Sequence, residues 1–301
     1  MARDALSVAA LVLAPLLGLP APAASPDVQR PHDPETVTVK SGSLELRALI
    51  WRPSGSGPFP AVVFSHGSAS STDPPQPADA AILGDVFARQ GYVFLFLFRQ
   101  GLGLSAGQGT ANGDLMRRAF DAGGQEGRNR LQMELLNGEE LNEVSAALGL
   151  LRRRPEVDAK RIALAGHSFG GSLSLVLAAK DPDIRAGVIF GGAAGSWTNS
   201  AELRKRLLAA VGQTRAPLLF IYAANDYSIA PATVLSAEMR RLGKVHESKI
   251  YPAFGLTASQ GHNLVYEGVR TWESDVFGFL DKYLRHETQT RDPAGDRRIP
   301  R

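Results

Sequence analysis

The sequence predicts an α/β domain built on a doubly wound, mostly parallel sheet flanked by helices. Two observations carry that expectation. First, five short runs are almost continuously apolar: residues 61–64 (AVVF), 92–98 (YVFLFLF), 161–165 (RIALA), 186–190 (AGVIF) and 217–222 (PLLFIY). Strands of this kind are expected where helices cover both faces of a parallel sheet. Second, the intervening residues 78–90, 133–154, 169–180 and 231–242 carry apolar positions at helical spacing. Regular β-α alternation defines the class.

The flanking segments extend the pattern. Residues 36–40 (TVTVK) and 44–51 (LELRALIW) alternate polar and apolar side chains and read as an antiparallel edge pair. Residues 54–60 (SGSGPFP) form a loop by composition. Residues 248–254 (SKIYPAF) read as the last strand and 272–284 as a final amphipathic helix. Two stretches interrupt the rhythm. Residues 108–127, rich in Gly, Ala and charge, are expected to cover or border the site. Residues 191–213 carry Trp197 and a charged helix near 202–208. Each reads equally as a small lid or an ordinary insertion.

With 301 residues, 44% hydrophobic and 21% charged, the chain can bury one large core. Its 33 basic residues barely exceed its 30 acidic ones. There is no basic run interleaved with aromatics, so a nucleic-acid partner is not expected. The absence of cysteine excludes disulfides, thiolate metal sites, a cysteine nucleophile and a lipid anchor on cysteine. Arg3, an apolar run over 5–19 and Ala21-Pro22-Ala23-Ala24 read as a cleaved export signal over 1–24. The mature protein is then expected to be periplasmic or secreted, without stable membrane insertion. A linker over 25–35, a catalytic domain over 36–285 and a disordered tail over 286–301 complete the expected organisation.

The sharpest motif is Gly166-His167-Ser168-Phe169-Gly170-Gly171. It follows a predicted strand and opens a predicted helix, the context in which G-x-S-x-G forms a nucleophile elbow. Positions two residues either side of the serine must be small, because strand and helix crowd there. The turn lifts the hydroxyl clear of the sheet and points a helix N-terminus at the reaction centre. Serine needs a base oriented by a third group, and in this architecture the partners follow in the order Ser, acid, His. Asp226 lies just past strand 217–222, at the carboxyl end of the sheet. Asp181, Asp183, Asp275 and Asp281 sit in or beside helices instead.

Of six histidines, His262 follows the last strand through the loop 255–261 and precedes the final helix. His32 precedes the domain, His246 begins a charged strand and His286 lies in the tail. His66 and His167 lie in turns too close to strand ends to swing onto the serine. The catalytic set is therefore Ser168, Asp226 and His262. The expected oxyanion donors are the backbone N–H groups of Phe169 and Ser68, with Gly67 as the alternative to Ser68. No cluster has metal-ligand spacing and no phosphate-binding glycine loop occurs, so neither metal nor organic cofactor is expected.

His66-Gly67-Ser68, Gly166-His167-Ser168-Phe169-Gly170, Asp226 and His262 together resemble the α/β-hydrolase superfamily. Within it the chain is similar to dienelactone-hydrolase-like serine esterases. Arg99-x-Gly101-x-Gly103-x-Ser105-x-Gly107 is a turn pattern common in these relatives. The resemblance spans about residues 37–284 and implies the fold, the triad order and hydrolysis of a small-molecule ester. Dienelactone hydrolases proper carry cysteine as nucleophile. Ser168 in its place points to a general carboxylesterase. Ser68 stands where lipase-type loops carry a longer glycine run, which sets the chain apart from that subfamily. The rival readings are a prolyl-oligopeptidase-type peptidase and a non-catalytic binding protein on the same scaffold.

Overall fold

The structure, a computed structural model, describes residues 33–285. The export signal, residues 25–32 of the linker, His32, His286 and the tail lie outside the described residues. Eight strands form one sheet in the order β1-β2-β4-β3-β5-β6-β7-β8. They are β1 (Glu35–Ser41), β2 (Leu44–Trp51), β3 (Phe59–Ser65), β4 (Val93–Phe98), β5 (Val157–His167), β6 (Ala186–Phe190), β7 (Leu218–Ala223) and β8 (His246–Tyr251). The β1–β2 and β2–β4 pairs are antiparallel, and the other pairs are parallel. This is the mixed sheet the sequence predicts. Proline, which has no N–H for the ladder, marks two irregularities in the sheet. Pro252 ends β8 at Tyr251, short of the expected Phe254. In β3 the pairing to β5 shifts register across Pro60.

Period-two alternation sorts the strand residues into two apolar layers. In β4, Val93, Leu95 and Leu97 enter one layer, while Phe94, Phe96 and Phe98 enter the other. The aliphatic layer is covered by α2 (Asn112–Asn137), α3 (Glu139–Arg152), α4 (Phe169–Lys180), α5 (Ala201–Gln213) and α6 (Ala230–Arg241). The aromatic layer is covered by α1 (Pro77–Arg89) and α9 (Val269–Leu284). There the Phe87 ring lies 4.5 Å from Phe94 and 5.0 Å from Phe277. Trp272 of α9 packs 5.1 Å from Phe190. Its indole N–H donates to the carbonyls of Leu264 and Val265. This anchors the chain just beyond α7 (Ala258–His262), in α8 (Leu264–Glu267).

One expectation needs correction, and one stretch gains a definite structure. The helix expected over 133–154 is two helices, divided at Gly138 (φ −118°, ψ −116°). The stretch over 108–127 is largely helical from Asn112 onward, with a kink at Gly123 and Gly124. Glycine breaks the helix because it gains least from helical geometry and reaches conformations closed to other residues. The helix itself is hard to see in sequence because it shows little apolar periodicity; Phe120, for example, is exposed. No helix among the described residues is long and apolar enough to cross a membrane.

Candidate active site

A single residue turns the chain from β5 into α4. Ser168 adopts φ 54°, ψ −118°, and its N–H donates to the Phe190 carbonyl at 2.8 Å. Such sparsely populated backbone costs about 1–3 kcal/mol and persists only where the surroundings enforce it. The surroundings here are crowded as the motif requires. A Cβ on Gly166 would lie 2.3 Å from the Gly170 carbonyl oxygen, and one on Gly170 only 2.0 Å from that of Ser65. Phe169 is the first residue of α4, so its N–H belongs to the helical turn that has no intrahelical acceptor.

Asp226 arrives from the loop beyond the carboxyl end of β7; His262 ends α7, a short helix beyond β8 that takes up residues 258–261 of the expected loop. The Asp226 carboxylate is buried, and its Oδ1 lies 2.7 Å from His262 Nδ1. The carboxylate accepts, so the proton of this contact sits on Nδ1. The same Oδ1 accepts the Tyr227 N–H at 2.6 Å. Ser168 and His262 line one cleft of about 450 Å³, together with Gly67, Ser68, Tyr227 and Tyr266. A larger surface hollow of about 660 Å³ between α2 and α5, bounded by Glu126, Arg130 and Glu202, contains none of these residues.

The rejected candidates are committed elsewhere. Asp181 pairs with Arg152 at 2.7 Å, Asp275 with Lys249 at 2.9 Å, and Asp281 with Arg285 at 2.8 Å. His66 is buried with both ring nitrogens engaged. Nδ1–H donates to the Gly67 carbonyl at 2.8 Å, while Nε2 accepts the Arg99 N–H at 3.2 Å. Burial, reinforced by the Arg99 charge, holds its pKa well below the ordinary histidine value.

Three supporting residues escape a reading of the sequence. Asn225 ties the acid loop to the histidine loop, donating to the Phe254 and Thr257 carbonyls and accepting the Phe254 N–H. His167 Nε2–H donates to the His262 backbone carbonyl at 3.0 Å, with the two rings 4.5 Å apart. Burial and the neighbouring His262 hold the His167 pKa well below its ordinary value, so it serves as a neutral donor. Gly191, at φ +57°, lies against the Asp226–His262 pair. A Cβ there would come within 2.9 Å of Asp226 Oδ2 and 3.0 Å of His262 Nδ1. The only sequence signal for these three is adjacency to a motif residue or a strand end.

This sheet order, with a strained serine between strand and helix and an acid-histidine pair beyond the sheet's carboxyl edge, defines an α/β-hydrolase fold. Solved structures of that fold match it. A dienelactone hydrolase from Anabaena variabilis is 19% identical, with a TM-score of 0.56 over 85% of this chain and 100% of its own. An acylaminoacyl peptidase from Pyrococcus horikoshii is 17% identical, with a TM-score of 0.62 over 86% of this chain and 43% of its own. A Methylorubrum extorquens protein named "Putative carboxymethylenebutenolidase" is 27% identical over 118 residues. That alignment spans 38% of this chain and 40% of the relative, so the match covers about two fifths of each. The chain belongs to the dienelactone hydrolase family, whose pattern matches residues 46–282.

Proposed function

We propose that this protein is a serine hydrolase that cleaves neutral carboxylic esters through an acyl-enzyme. The observation that carries the reading is the buried Asp226 carboxylate 2.7 Å from His262 Nδ1, with His262 and Ser168 on one cleft. His262 Nε2 takes the Ser168 hydroxyl proton as Oγ attacks the ester carbonyl. Asp226 fixes the imidazole tautomer and stabilises its charged form. The N–H groups of Phe169 and Ser68 receive the oxyanion. The imidazolium then protonates the leaving alcohol, and water, activated by the same ring, hydrolyses the acyl-enzyme.

The cleft's charge disfavours an anionic substrate. Asp73, Asp79 and Glu267 line it, and among the described residues neither lysine nor arginine does. A carboxylate-bearing substrate would meet three acidic side chains there. Ile82 and Tyr227, both partly exposed at the cleft, supply apolar surface for an acyl or alcohol group.

A fluorophosphonate probe, together with p-nitrophenyl esters and an aminoacyl amide, tests this reading. Wild type is expected to be labelled at Ser168, Ser168→Ala to remain unlabelled, and neutral esters to outpace both the amide and a succinate half-ester. Equal labelling of the alanine variant would overturn the assignment of the nucleophile. Gly191→Ala provides a second check. Its methyl group must displace the Asp226–His262 pair or strain the backbone. Small misplacements of catalytic groups cost on the order of 100-fold, so kcat is expected to fall about 10- to 100-fold with KM little changed. Steady-state kinetics on the folded variant decide it.

A further inference from the structure

A buried ion pair lies behind the turn that leaves β3. Arg99 and Glu140 have no exposed side-chain surface, and Arg99 Nε is 2.7 Å from Glu140 Oε2. Replacing a buried ion pair by apolar side chains of similar volume is often neutral or stabilising. Stability alone therefore gives little reason for the pair. What arginine supplies is a rigid planar fork of donors, and here the fork is spent on one short segment. Nη1 donates to Ser65 Oγ at 2.7 Å and to the His66 carbonyl at 2.6 Å, and Nη2 to the Gly67 carbonyl at 2.7 Å.

We propose that Arg99, held by Glu140, is a positioning residue that aims the oxyanion-binding N–H of Ser68; this rests on the hydrolase reading above. In a planar trans peptide the C=O and the following N–H point in opposite directions. Drawing the Gly67 carbonyl onto the buried guanidinium turns the Ser68 N–H outward, to the cleft that Ser68 lines. The segment lies against the nucleophile, since a Cβ on Gly67 would come within 3.1 Å of Ser168 Cβ. Glu140 secures the far side as well. Its Oε2 accepts from Asn112 Nδ2 at 3.0 Å, and Asn112 Oδ1 accepts the Ala69 N–H at 3.1 Å. The Ser71 N–H is taken by Asp114 at 3.0 Å. Of Gly67, Ser68 and Ala69, which line the cleft, Ala69 has its N–H engaged, so Gly67 and Ser68 keep theirs for the oxyanion.

Each single substitution would leave one buried charge without its partner and destabilise the fold. The test is therefore the full-length double variant Arg99→Met/Glu140→Leu, its folding verified by circular dichroism. Loss of one oxyanion donor typically lowers turnover by about 100- to 1000-fold. The expected result is a kcat lower by roughly 100-fold with KM within about threefold. Affinity for an alkyl trifluoromethyl ketone, which forms a tetrahedral adduct, should fall in parallel. Amide hydrogen exchange over residues 65–71 should become at least about tenfold faster, a readout that needs no turnover. A folded variant with near-wild-type kcat, or with unchanged exchange over 65–71, overturns the proposal. If wild type cleaves no ester and takes no fluorophosphonate, the hydrolase reading fails on its own, and the exchange measurement still decides whether the pair holds the segment.

Discussion

Ser168→Ala is expected to lower kcat for a p-nitrophenyl ester by about 10⁶-fold, and Asp226→Ala by about 10⁴-fold. The two losses should not add in the double variant, because both residues act through His262. The geometry makes a finer distinction. In Asp226 a single oxygen, Oδ1, accepts both the His262 Nδ1–H and the Tyr227 N–H. An asparagine at this position must keep its oxygen there, since the Tyr227 N–H has no use for a second donor. The imidazole tautomer would then survive, and only the charge that stabilises the imidazolium would be lost. Asp226→Asn is accordingly expected to retain distinctly more activity than Asp226→Ala. If the two variants are equally impaired, the Tyr227 N–H does not select the orientation of the amide. If Ser168→Ala keeps more than about 1% of wild-type kcat, the triad is wrong.

The parts of this site that can be read from sequence are those set by local geometry. Gly166 and Gly170 announce the elbow because the clash they avoid lies within a few residues of the serine or on the adjacent strand. The continuous apolar strands reveal the sheet because each is buried on both faces. Asp226 and His262 can be picked out by their place after a strand, although their meeting depends on the packing of two loops. The supporting groups carry no such signature. Glu139, Glu140 and Glu143 at the start of α3 carry no mark of burial in the sequence. Yet Glu140 and Glu143 are fully buried, and Glu140 is buried against an arginine some forty residues earlier in the chain. Arg99 itself sits in a glycine-rich turn motif whose pattern says nothing of a guanidinium turned inward. Charge burial is decided by tertiary partners, and a helix surface charged in sequence can face the core once such partners exist.

Glu143 gives that burial a measurable consequence. Its Oε2 accepts the Gln100 N–H at 3.1 Å, while Oε1 is buried without a partner. Burial, with the neighbouring Glu140 charge added, pushes its pKa up to about 8. In the unfolded chain a glutamate titrates near 4.3. Between those values the folded protein holds a proton that the unfolded chain has released, so stability must fall as pH rises through this window and level off above it. At 1.36 kcal/mol per unit, the contribution amounts to roughly 4–5 kcal/mol between pH 4 and pH 9. Glu143→Gln removes the titrating group but keeps an oxygen for Gln100. Urea unfolding of wild type and variant at pH 5, 7 and 9 isolates the effect. The hydrogen-bond cost of the substitution is constant with pH, so the variant should gain steadily on wild type and be several kcal/mol better off at pH 9 than at pH 5, relative to it. Parallel stability curves would mean that Glu143 is already ionised in the folded protein at neutral pH. Two carboxylate charges would then share the single guanidinium of Arg99, and the neutral partner that leaves the Arg99–Glu140 pair undivided would not exist.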